Sequence, residues 1–151
     1  MRIERERKLS AEHTLRGIFA LDSGVIIEML LGTSKGERVV EALSADSILA
    51  YTSDVNIAET EYILCRKLGD RKADEKIDAL LRSNYLSILE PQRLRDEVVK
   101  LKCGRGLTLA DCYCLAVAKV TGSRALFAFK EEELSKEISR KPFEVPIDFL
   151  S

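Results

Sequence analysis

Residues 107–120, LTLADCYCLAVAKV, carry only three side chains that are not apolar: Thr108, Asp111 and Lys119. A helix of that pattern is apolar nearly all round, so it cannot lie on a surface and must be covered on most sides. With 151 residues, 46% of them hydrophobic, the chain is long enough to supply that cover from one core without staples. The same segment raises a chemical question. Asp111 sits near the start of a helix that has to be buried, and a carboxylate there must be solvated at a cleft, paired or neutralised.

The surroundings of this helix read as alternating short apolar runs and helical segments. Runs at 18–21, 47–52 (SILAYT), 85–89 (YLSIL) and 125–129 (ALFAF) have strand length, and 144–147 reads as a further edge strand. Between them, helical patterns cover 25–31, 37–43, about 54–68, the charged stretch after Gly69-Asp70, 91 to about 103 with Pro91 at its start, and 131–138. Gly32 and Gly122 read as helix stops. Alternation of this kind predicts βαβ units around a mostly parallel sheet of about five strands, an α/β fold. Residues 1–16 read as a charged, loosely ordered N-terminal arm and 17–151 as a single domain.

Several functions are excluded early. The 24 basic and 25 acidic side chains nearly cancel, which argues against a strongly basic nucleic-acid coat. No apolar stretch reaches membrane-spanning length and the N-terminus lacks a signal-peptide hydrophobic region, so a cytoplasmic location is expected. Cys65, Cys103, Cys112 and Cys114 form no C-x-x-C knuckle, and the lone His13 lies in the charged arm, so zinc and histidine-based catalysis are disfavoured and core thiols expected. Gly32-Thr-Ser-Lys-Gly36 follows a helix and matches no phosphate loop. Any catalysis must be carried by carboxylates.

Taken singly, the candidate acids have ordinary explanations. Asp22 follows a strand and suits a helix N-cap, Glu59 lies early in its helix and complements the macrodipole, and Asp111 follows Thr108 at capping-box spacing. Together, all three stand at helix starts around a parallel sheet, where ligands bind outside the carboxyl ends of strands. Clustered carboxylates raise one another's pKa values unless a cation sits among them, and an oxygen-only set suits Mg²⁺ or Mn²⁺. Such ions support phosphodiester hydrolysis.

At these residues the chain resembles a known family. Leu21-Asp22-Ser23-Gly24-Val25-Ile26-Ile27, Asn56-Ile57-Ala58-Glu59, and residues 107–119 around Asp111 are similar to the three main acidic motifs of PIN-domain nucleases, nearest the VapC-type toxins and their archaeal relatives. The resemblance spans about residues 18 to 135. It implies a Rossmann-like α/β/α sandwich, Mg²⁺ or Mn²⁺ held by Asp22, Glu59 and Asp111, cleavage of RNA, homodimerisation and, in the toxin branch, a small antitoxin partner. The pattern departs from the family after residue 124: Phe127 stands at the usual Thr position, Phe129 at the first Asp, and Glu131 where a further acid is expected. Glu131 is therefore the candidate fourth ligand, with a macrodipole role in a Glu131-Glu132-Glu133 first turn, and a Glu132–Lys136 pair, as the competing reading.

The leading expectation is a metal-dependent ribonuclease. A catalytically weak PIN-like module that binds RNA or protein is the alternative, supported by Phe127 and Phe129. Of the charged clusters, Lys100, Lys102 and Arg105 are the better RNA candidates because they precede Asp111, while Lys67, Arg71 and Lys72 read as a solvated face. Glu28 and Glu61 read as surface acids. A homodimer is expected from apolar stripes at Val39, Val40 and Leu43 and at Ala73, Ile77, Leu80 and Leu81.

Overall fold

The computed structural model describes residues 6–10 and 14–151. In chain order the elements are β1 (Glu6–Lys8), β2 (Gly17–Leu21), α1 (Ser23–Leu31), α2 (Ser34–Ser44), β3 (Ile48–Ser53), α3 (Asp54–Leu68) and α4 (Asp70–Ser83). They continue with β4 (Leu86–Leu89), α5 (Pro91–Gly104), α6 (Leu109–Thr121), β5 (Arg124–Phe127), α7 (Glu132–Arg140) and β6 (Ile147–Phe149). The sheet order is β1-β6-β5-β2-β3-β4, and each neighbouring pair is parallel.

Alternation along the strands sends side chains to two separate cores. Phe19, Leu21, Ile48, Ala50 and Leu126 face a core closed by α1 to α4, whereas Ala20, Ala125 and Phe127 face one closed by α5, α6 and α7. This is the expected α/β/α sandwich. Helix α6 packs against β2, β3 and β5 and against α3 and α5, which explains its composition: Cys112, Cys114, Leu115, Ala116, Val117 and Ala118 are all buried. Gly32 (φ 69°) and Gly122 (φ 64°) end α1 and α6 in the left-handed conformation, as read from the sequence. No helix among the described residues is long and apolar enough to cross a membrane.

The sheet has six strands rather than about five, because residues 6–8 leave the expected arm and pair with β6. Three residues, ERK, carry no apolar periodicity, and what seats them is charge. Asp148, fully buried at the middle of β6, accepts two bonds from Arg7 (3.0 and 2.6 Å) and two from Arg124 (2.8 and 2.6 Å). Leu9 and Leu15 add buried apolar surface beyond β1. His13, Arg2 and Arg5 lie outside the described residues. The final strand spans 147–149 rather than 144–147, and it lies inside the sheet between β1 and β5.

The apolar residues expected to mark a dimer face are used within the chain. Val39, Leu43, Ala73, Ile77 and Leu80 belong to the first core, and Val40 packs against it, leaving Leu81 exposed. The sequence argument for a homodimer therefore loses its surface, since amphipathic helices on an α/β sheet need that same stripe to cover the sheet. Gly36 shows how closely these helices approach. A Cβ there would lie 2.0 Å from the Glu28 carbonyl oxygen and 2.5 Å from the Met29 nitrogen, so α2 rests directly on the backbone of α1.

Two outcomes follow for stability. Gly36→Ala must push α2 off α1, and should cost about 1–3 kcal/mol, lowering Tm by roughly 3–9 °C in thermal unfolding followed by circular dichroism. Asp148→Asn should cost more, about 2–4 kcal/mol, by leaving two guanidiniums without their shared partner. Burial pushes the Asp148 carboxyl up, but the bonds from Arg7 and Arg124 outweigh it and hold the carboxyl below the ordinary aspartate range. A carboxyl held low in the folded state contributes stability above about pH 4 that disappears as pH falls through the folded value. The gap between wild type and Asp148→Asn in urea unfolding should thus be full from about pH 5 to 7 and narrow below about pH 4.

Candidate metal centre at the carboxyl edge of the sheet

Asp22 follows β2 directly and N-caps α1, its Oδ2 accepting from the Gly24 amide at 3.2 Å. The capping reading is therefore right, but it uses one oxygen. The other, Oδ1, is buried and has no hydrogen-bond partner among the described residues. Orphaned buried oxygens are rare and ask for a ligand. Burial pushes the Asp22 carboxyl well above the usual aspartate range, Asp111 and then Glu59 push it further, and the Gly24 amide opposes them.

Asp111 lies in the first turn of α6, behind the N-cap Thr108, whose hydroxyl accepts from the Asp111 amide at 3.2 Å. Its carboxyl is pushed up to about 6, first by burial and then by Glu131, Glu59 and Glu133, against a lowering contribution from Thr108. Glu131 occupies the N-cap position of α7 and makes no capping hydrogen bond with its side chain. Glu132 and Glu133 take the first-turn places, and Glu132 pairs with Lys136 at 3.1 Å as the spacing predicts.

Asp22, Asp111 and Glu131 line one small cleft with Phe127, Phe129 and Leu134. Its volume, about 20 Å³, admits a water or a single ion and no organic ligand. Glu59 does not line that cleft, although its charge reaches both aspartates from the second turn of α3. Among the described residues no group of three or more His, Cys, Asp or Glu side chains is arranged to hold a metal ion as it stands. The donors nonetheless suit a hard divalent cation: two aspartates raised by burial and by neighbouring carboxylates, one with an unused buried oxygen, and no nitrogen or sulfur ligand lining the cleft. Larger concavities lie elsewhere, one of about 120 Å³ under Arg105 and Phe143 and an open groove of about 580 Å³ between α3 and α4; neither contains Asp22 or Asp111.

The starts of three helices are held together by one amide that sequence reasoning quoted without giving it a role. Asn56, fully buried, donates from Nδ2 to Ser23 Oγ (3.1 Å) and to the Ala110 carbonyl (3.1 Å). Its Oδ1 accepts from the Ser53 hydroxyl (2.5 Å), which in turn accepts from the Asn56 amide (3.1 Å). Thr60 donates to the Asn56 carbonyl at 2.8 Å. Ser23 adjoins Asp22 and Ala110 adjoins Asp111, so this network sets the spacing of the two aspartates. The available signal was a polar residue placed where α3 must turn toward a core.

Two of the three cations in the basic cluster before Asp111 are engaged by the chain's own carbonyls, while Lys100 stays largely exposed. Arg105 donates to the carbonyls of Lys141 (2.5 Å), Pro142 (3.1 Å) and Glu137 (3.3 Å), and stacks 3.7 Å from the centroid of Phe143. Lys102 donates to the Leu107 carbonyl at 2.5 Å and Lys100 pairs with Glu144 at 3.4 Å. These side chains fix the loop that delivers α6. Phe127 is buried against Phe149, at 6.0 Å between ring centroids, while Phe129 stands on the cleft rim. All four cysteines are free; Cys112 and Cys114 are buried as expected, and Cys103 is exposed instead.

The fold matches known proteins. The model of the PIN domain matches residues 19–136. A search of curated proteins finds no match. Among solved structures, a chain of VapBC2 from Rickettsia felis, solved with a DNA fragment from its promoter, is similar with a TM-score of 0.67 and 13% identity over 89% of this chain and 99% of that one. VapC20 from Mycobacterium tuberculosis, described as a sarcin-ricin loop cleaving toxin, matches with a TM-score of 0.59 and 18% identity over 78% and 94%. VapBC-1 from nontypeable Haemophilus influenzae matches with a TM-score of 0.57 and 15% identity over 89% and 97%. At these identities the structures show a shared fold, and the domain match over most of the chain shows the family: this protein belongs to the PIN domain family.

Proposed function

We propose that this protein is a divalent-metal-dependent endoribonuclease that hydrolyses RNA phosphodiester bonds, and that it acts as the toxin of a toxin–antitoxin pair with a small antitoxin partner. The observation that carries the nuclease reading is the unpartnered buried Oδ1 of Asp22 in a cleft shared with Asp111 and Glu131. Membership in the PIN family supports it, and VapC20, described as a sarcin-ricin loop cleaving toxin, and the VapBC structures support the toxin assignment.

In this reading Asp22, Asp111 and Glu59 hold Mg²⁺ or Mn²⁺ and Glu131 is a peripheral fourth ligand. When bound, such an ion lowers the pKa of a coordinated water and neutralises charge on a phosphate. The chain's own contribution is positioning. Asn56 and Thr108 fix the backbone from which the two aspartates project, and the Gly24 amide orients one Asp22 oxygen so that the other is free to ligate. Glu131, at the α7 N-cap with no capping bond from its side chain, lines the cleft. The alternative, a binding module with weak catalysis, is favoured by Phe129, which replaces an acid of the family pattern at the cleft rim.

Asp22→Asn and Asp111→Asn should each weaken Mn²⁺ binding at least tenfold by calorimetry while circular dichroism shows the fold intact. In EDTA at neutral pH, Asp22→Asn should raise Tm by about 2–6 °C, because Asn keeps the acceptor for Gly24 and removes a buried, repelled charge. A lower Tm for Asp22→Asn with unchanged Mn²⁺ binding would return Asp22 to a purely capping role.

Cleavage of a single-stranded RNA should be internal, require Mg²⁺ or Mn²⁺, and stop with EDTA. Asp111→Asn should lower kcat by roughly 100-fold or more, and Glu131→Gln by about tenfold, since a peripheral ligand acts through water. RNA binding without cleavage under any divalent ion would favour the binding-module alternative.

A further inference from the structure

Phe129 is 47% exposed on the rim of the cleft formed by Asp22, Asp111 and Glu131. Singly exposed apolar side chains are ordinary on protein surfaces, and what sets Phe129 apart is its place on this rim. The other exposed aromatics do not line this cleft: Tyr62 lies under Arg66, and Tyr85 is hydrogen-bonded to Ser44. Lys35, in the first turn of α2, places its ammonium 5.4 Å from the centroid of the Phe129 ring. Lys35 pairs with no carboxylate among the described residues. An aromatic ring and the cation that rests over it thus stand together at the edge of an acidic site.

We propose that Phe129 is a stacking platform for a nucleobase of a single-stranded RNA whose scissile phosphate lies at the acidic cleft, with Lys35 taking an adjoining backbone phosphate. This rests on the ribonuclease reading. The cleft, at about 20 Å³, is too small for a base, so the nucleoside on either side of the phosphate has to lie outside it, on the rim. In the ribonuclease reading the acids are committed to the ion, so the groups that hold the nucleosides flanking the phosphate must lie on the rim. Stacking meets that need and tolerates any base, because each base has a π-face. The same substitution that removes an acid from the family pattern therefore adds a contact for the substrate.

The test uses the full chain carrying Asp111→Asn to prevent cleavage, with a twelve-nucleotide mixed-sequence single-stranded RNA as the probe. Fluorescence polarisation should show that Phe129→Leu, which keeps apolar bulk, weakens binding about 10- to 100-fold. Phe129→Trp should bind within about threefold of its parent and, as the only tryptophan in the chain, should be quenched saturably by the RNA. Lys35→Gln should reduce the slope of log affinity against log salt by about one. Unchanged binding in Phe129→Leu overturns the proposal, as does quenching of Phe129→Trp equally strong with inorganic polyphosphate. If either result comes with intact RNA cleavage by the wild-type protein, the ribonuclease reading stands and only the platform falls. Absence of both cleavage and RNA binding removes both.

Discussion

The carboxamide of Asn56 is the joint on which the site is built. Its contacts reach Ser23 at the start of α1, Ser53 at the end of β3 and Ala110 at the start of α6, so one buried side chain couples three segments far apart in sequence. Each bond satisfies a polar group that burial would otherwise penalise, which makes the network costly to satisfy in part and specific when complete. The two aspartates ride on backbone held this way. Their separation is decided by an amide that takes no part in the proposed chemistry.

The aspartates themselves are a stored cost. Asp22 is raised by burial first and then by Asp111 and Glu59, and Asp111 by burial first and then by Glu131, Glu59 and Glu133, so ionising them without a cation is disfavoured. Binding sites commonly sacrifice stability in this manner, and the rest of the fold must offset it. Two well-filled cores on either side of a wholly parallel sheet, and the quadruply bonded Asp148, are where that compensation lies.

Much of this was legible because the signals were periodic. The apolar monotony of 107–120 demanded a buried helix, Gly32 and Gly122 marked stops, and Thr108 stood at capping spacing before Asp111, each of which the structure bears out. The resemblance carried the fold. What escaped had no period to read. Strand β1 is three charged residues seated by an ion cluster whose partners lie over a hundred positions away. The amphipathic stripes of α2 and α4 look identical in sequence whether they face a sheet or a second molecule, and here they face the sheet. Arg105 looked available for a phosphate because a sequence does not show that backbone carbonyls have already engaged it. Phe129 read as a loss from the acidic motif, and only its exposure at the rim gave it a positive meaning.

The pairing of β1 with β6 also orders events during synthesis. Arg7 finds Asp148 only across 141 positions, and Lys8 pairs in register with Phe149. Synthesis delivers β1 well before its partner strand. Until then β2 to β5 can assemble a four-stranded parallel sheet with β5 as an open edge, while the first strand waits with its charges in water. Closure of that edge by β6, with β1 docking behind it, is a late step that depends on loop closure over almost the whole chain. Such an edge is a site where a nascent chain can join the wrong neighbour, and three-residue strands with a buried ion cluster shorten the template it offers.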